Sequence, residues 1–107
     1  VTEVTVRAGV CGFTTHIRAE SSPEGDVLLT IASDCPSVQR LAQALPRVDP
    51  LREISYRGEL PAVLEAAREY LPHPTCLVPS GILKAAEVAA GLALPADASI
   101  TFHAPGD

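Results

Sequence analysis

Three apolar alternations follow one another near the start of the chain and constrain the fold more than any other feature. Residues 3–8 place Val4, Val6 and Ala8 on one side and Glu3, Thr5 and Arg7 on the other. Residues 13–20 repeat the pattern with Phe13, Thr15, Ile17 and Ala19 in phase, and Val27, Leu29 and Ile31 give it a third time. A period of two is the signature of a half-buried strand. The segments between them, Gly9-Val10-Cys11-Gly12 and Ser21-Ser22-Pro23-Glu24-Gly25, are short and built of turn residues, so the chain can only reverse there. The expectation is a three-stranded antiparallel meander with His16 on its wet face.

Helical patterns come next. Asp34 can cap a helix whose first turn holds Pro36, and Val38, Leu41, Ala42 and Leu45 supply its apolar stripe before Pro46 stops it. Residues 46–58 carry Pro46, Pro50 and Gly58 without a period and read as an irregular connection with a short turn or strand near Ile54. Leu60, Val63, Leu64, Ala67 and Leu71 mark a second helix over about 60–71. A third starts at Pro79-Ser80 and ends at Gly91. Its only charges are Lys84 and Glu87, so most of its surface must be buried. Ala98, Ile100 and Phe102 then alternate as a final strand added to the sheet. The reading is one α+β domain over residues 1–103, built as a meander, about three helices and a C-terminal strand, with 104–107 as a tail.

Composition narrows the function classes. Apolar residues reach 47%, enough for a real core, and with two Phe and two Tyr that core is aliphatic. Lys and Arg total eight against a net charge of −5, scattered singly, so no basic stripe exists to neutralise nucleic-acid phosphates. No apolar run approaches the ~20 residues of a membrane span. No signal peptide is visible, and the absence of any Met reads as processing or trimming. Three cysteines cannot all pair with one another; without an export signal the expected compartment is the cytoplasm, where free thiols and metal sites outnumber disulfides.

Those cysteines carry the candidate chemistry. Cys11 follows the first strand, Cys35 follows the third at a helix start, and Cys76 sits just ahead of the last helix with His73 three residues before it. A thiol near a helix N-terminus lies close to unpaired N–H groups and the positive end of the dipole, which favours the metal-binding thiolate. Strand parity alone puts Cys11 and Cys35 at the same end of a meander. Cys76 joins them only if the last helix points its N-terminus that way, which no sequence feature fixes. Three thiolates supply three ligands of a closed tetrahedral site for zinc, or hold an iron–sulfur cluster. His73 is the favoured fourth ligand, Asp34 the next, and His16 a third candidate weakened by its outward phase.

With the cysteines placed, the layout resembles the IscU/NifU-type iron–sulfur scaffold proteins. That family has a Cys-Gly motif between its first two strands, as at Cys11-Gly12, a second Cys opening the helix after strand three, as at Cys35, and a third preceded by a His ahead of a late helix, as at His73 and Cys76. The intervals of 24 and 41 residues between the cysteines are similar to the family's, and the resemblance covers residues 4–91 at sparse positions. Phe13 stands where the family has an Asp, two residues separate His73 from Cys76 where the family has none, and Leu71-Pro72-His73-Pro74 lacks the Lys of the family's chaperone-docking segment. The resemblance therefore implies a metal or cluster site on a related fold, and a protein partner in metal or sulfur transfer, more than the scaffold task itself. The segment Val78–Glu87 is also similar to small prokaryotic proteins without an assigned role.

The reading is thus a small metal-binding protein, zinc or iron–sulfur, more a holder of metal or sulfur than an enzyme. Two rivals stay open: a thiol enzyme or sulfur carrier with Cys76 or Cys35 as nucleophile and His73 as base, and a metal-free interaction module.

Overall fold

A computed structural model describes residues 1–105, and two of the residues expected to form the tail, Gly106 and Asp107, lie outside the described residues. The meander is present: β1 (Thr2–Arg7), β2 (Thr14–Ser21) and β3 (Val27–Ser33) pair antiparallel in sequence order. Val4 faces Ile17 and Ile17 faces Ile31 across the ladders, so the three apolar phases coincide on one face. Thr15, Ile17, Ala19, Val27 and Leu29 are buried on that face, while Glu3, Thr5, His16, Arg18 and Thr30 are exposed on the other. The helices cover only the apolar face, and the result is two layers with an open polar face.

After β3 come α1 (Pro36–Ala44), the two-residue strand β4 (Arg47–Val48), the short helix α2 (Pro50–Glu53), α3 (Ala62–Tyr70) and α4 (Val78–Ala89). The first part of the expected irregular connection thus carries two short elements, while residues 54–59 are irregular, with a turn at Ile54. Val48 pairs with Val27 at the end of the sheet order, and Asp49 caps α2 by accepting the Leu51 N–H at 3.0 Å. Asp34 does not cap α1. Cys35 occupies the N-cap position, and Ser33 Oγ accepts its N–H at 3.1 Å. α4 begins two residues before Ser80, with Pro79 in its first turn, where a missing N–H costs nothing.

Two corrections concern the C-terminal half. The helix count is four among the described residues, and the final strand over Ala98–Phe102 does not form. Residues 95–104 have no secondary structure and are exposed throughout, with Ile100 at 71% and Phe102 at 93% exposure. Alternation prepares a strand, but a strand exists only when a neighbour supplies its hydrogen bonds.

Sequence composition explains how the layers lock. α1 turns Val38 and Leu41 onto β3, and α4 buries Val78, Ile82, Ala85 and Ala86 across β1 and β2. Full burial of a side chain the size of Ile82 contributes about 1.5–3 kcal/mol. Gly81 lets α4 approach closely: a Cβ there would lie 2.3 Å from Val6 Cγ2 and 3.3 Å from Ile17 Cδ1. At the other end of α4, Ser21 Oγ donates to the Ala89 carbonyl at 2.7 Å. Ser21 lies at the far end of β2 from Thr14, so α4 runs along β2 from the β1–β2 turn towards the β2–β3 turn.

Candidate functional site

That direction of α4 settles the point the sequence leaves free. The end of the sheet where β1 turns into β2 and β3 leaves for α1 is also the end from which α4 starts. Cys11, Cys35 and Cys76 all belong to segments at this rim, and all three are free.

Each segment is held differently. Cys11 sits at the exposed tip of a turn closed by the Gly12 N–H donating to the Gly9 carbonyl at 2.9 Å and the Ala8 N–H donating to the Phe13 carbonyl at 3.0 Å. Gly9 and Gly12 both have positive φ, +81° and +74°, a region that disfavours any residue with a Cβ. Neighbouring Val10 is fully exposed, so the tip projects from the body.

Cys35 is half-buried against the core and fixed by a short relay. The buried Thr15 hydroxyl donates to Ser33 Oγ at 2.8 Å, Ser33 Oγ accepts the Cys35 N–H, and Gln39 Nε2 donates to the Ser33 carbonyl at 2.8 Å. β2, β3 and the first turn of α1 are thereby joined at the rim. Cys76 is likewise half-buried against the core, and its N–H donates to the His73 carbonyl at 3.3 Å. That bond closes a turn of four residues and brings His73 and Cys76 to adjacent positions, with His73 exposed.

The remaining candidates separate. Asp34 is exposed beside Cys35 at the rim. His16 follows Thr15 near the rim end of β2 but stands on the open sheet face, opposite the helices, where its Nδ1 lies 3.1 Å from the Thr5 hydroxyl. Lys84 is exposed and Glu87 half-buried on α4, both away from the helix start.

The donor set, three thiols with an imidazole on the same turn as one of them, suits a soft metal ion chemically. Its geometry is not preassembled: among the described residues no three His, Cys, Asp or Glu side chains are grouped so as to hold an ion. Two of the thiol segments are anchored on the core, and the Cys11 tip projects from it.

One carboxylate went unread in the sequence. Glu53 is 3% exposed, and its two oxygens accept the N–H groups of Ala62 and Val63 at 2.9 Å each. It caps α3 from a distance, where Pro61 at the N-cap position offers no side-chain acceptor. The signal was available as a helix start without Ser, Thr, Asp or Asn. Beside it, Arg52 Nε donates to the Leu60 carbonyl at 2.9 Å, and its guanidinium pairs with Glu65. These groups hold the α2–α3 connection and have no part in the thiol rim.

Fold and rim together define an α+β protein with a single helical layer and a thiol-bearing edge. The chain belongs to DUF6951, a family of unknown function whose family model matches residues 2–102. No curated protein and no solved structure matches it. Among the described residues no helix is long and apolar enough to cross a membrane.

Proposed function

We propose that the rim is a metal-holding site in which Cys11, Cys35 and Cys76 are thiolate ligands and His73 completes the set, the metal being zinc or part of an iron–sulfur cluster. The observation that supports this most is the direction of α4. Three cysteines separated by 24 and 41 residues belong to three different segments, and the seating of Gly81 on Val6 together with the Ser21–Ala89 bond turns the last of these segments towards the other two.

The site is built from two fixed ligands and one carried on a turn. Cys35 is positioned by the Thr15–Ser33 relay and Cys76 by its turn with His73. Closing the Cys11 tip onto them brings in the third sulfur, and its exposure in the free chain gives a metal a route in and out. Such a site holds or hands on a metal or sulfur cargo; residues for turning over an organic substrate are not part of it.

The test is metal analysis of untagged protein purified without oxygen. Stoichiometric zinc or iron that disappears in Cys35→Ser and Cys76→Ser supports the proposal. Metal-free protein in which one thiol alkylates far faster than the others points instead to a thiol nucleophile, and three slow thiols without metal point to a structural role.

A further inference from the structure

The exposed C-terminal segment and the open edge of β1 are complementary, and we propose that they join two copies of this chain by reciprocal strand exchange. The inference does not depend on the thiol rim. The sheet order β1-β2-β3-β4 leaves β1 as an edge strand of six residues. The Ala8 N–H bonds to Phe13, so the alternation of an antiparallel ladder directs the N–H groups of Glu3, Thr5 and Arg7 outward, away from β2. An unpaired edge of this kind is a template for another strand.

The segment Ala98–His103 is also six residues long and alternates Ala98, Ile100 and Phe102 with Ser99, Thr101 and His103. It is exposed throughout. The family match extends through Phe102, so the segment belongs to the family's common stretch and is not an appendage. Keeping its apolar phase with Val4 and Val6 allows several antiparallel and parallel registers, of which the one that pairs opposite charges is antiparallel. Antiparallel, Ile100 faces Val4, Ala98 faces Val6, and Asp97 falls opposite Arg7. Parallel, His103 falls opposite Arg7 and the attraction is lost. Opposite charges across a strand pair favour the first.

The partner must be another copy. α4 ends beside Ser21, at the Thr2 end of β1, whereas the antiparallel alignment needs Asp97 at the Arg7 end. Residues 91–93 are taken up in a turn and bend, and the four residues from Ala93 to Asp97 reach about 13 Å at ~3.3 Å each, short of the roughly 17 Å from Thr2 to Arg7. A second copy has no such constraint. Because each chain offers the β1 edge and one segment, the reciprocal exchange closes as a two-fold dimer.

Sedimentation equilibrium of the full chain, in reductant and chelator so that neither Cys11 disulfides nor metal can bridge copies, tests this. The expected result is a reversible dimer. Phe102→Asp should make it monomeric without changing the far-UV spectrum, because Phe102 touches nothing in the body. Thr5→Pro should do the same, because it removes an outward N–H and leaves the β1–β2 ladder intact. Amides 98–103 should lose hydrogen-exchange protection on dilution. A wild-type monomer at every concentration overturns the proposal, and so does a dimer that persists in both variants or a segment protected equally in the monomer.

Discussion

Gly81→Ala is the substitution that reports most directly on how α4 is seated. In an open helix the change would stabilise by about 1 kcal/mol, because Gly has the higher backbone entropy to lose. Here the new Cβ meets Val6 Cγ2 at 2.3 Å, against the ~3.5–4.0 Å of ordinary carbon contacts. Val6 is 8% exposed and β-branched, so it cannot swing aside cheaply. Overpacking of this kind costs about 1–3 kcal/mol, and an overlap of more than 1 Å belongs to the upper part of that range. After the helix gain is subtracted, the net loss is about 1–2 kcal/mol. At 107 residues each kcal/mol lowers the melting temperature by roughly 4 °C. The assay is urea unfolding of Gly81→Ala, Val6→Ala and the double variant, with the exposed Ser80→Ala as the control on the same helix. Removing the Val6 methyls should relieve the overlap, so the cycle should show a favourable coupling of about 1–2 kcal/mol. A Gly81→Ala protein more stable than wild type, with no coupling to Val6, would refute the seating and with it the direction that carries Cys76 to the rim.

Three further outcomes are expected. Glu53→Ala should cost about 2–4 kcal/mol in chemical denaturation, because two N–H groups at the buried start of α3 lose a charged acceptor together, and Glu53→Gln should recover part of that by keeping one oxygen. Ser33→Ala should destabilise by about 1–2 kcal/mol through the orphaned Cys35 N–H and Thr15 hydroxyl, and should weaken metal uptake in a competition assay more than the exposed Asp34→Ala does. Cys11→Ser should leave the melting temperature of metal-free protein within about 2 °C of wild type, because the side chain is exposed, yet abolish the metal-dependent rise in melting temperature.

The sheet was legible because period-two patterning and short turns are local, and the parity of two reversals then fixes where Cys11 and Cys35 lie. The helices around Leu41, Val63 and Ile82 were legible from their stripes, though not their first residues. Pro79 marks a first turn, but Leu77 takes the cap position without a side-chain bond, so Ser80 misdirects by two residues. β4 and α2 were out of reach because elements of two and four residues have no period to read. The direction of α4 is a tertiary property; its one trace in the sequence is Gly81, a glycine inside an apolar helix, which marks close backbone approach without saying to what. Ala98, Ile100 and Phe102 misled for the opposite reason. Their alternation is sound, but pairing depends on which edge lies within reach.

X-ray absorption at the metal edge of protein loaded with zinc under anaerobic conditions addresses the thiol rim most directly. Convergence of Cys11, Cys35 and Cys76 predicts a shell of three sulfurs at about 2.3 Å and one nitrogen at about 2.0–2.1 Å, the nitrogen absent in His73→Ala. A shell made only of oxygen and nitrogen, or zinc uptake unchanged when all three cysteines are Ser, would contradict it.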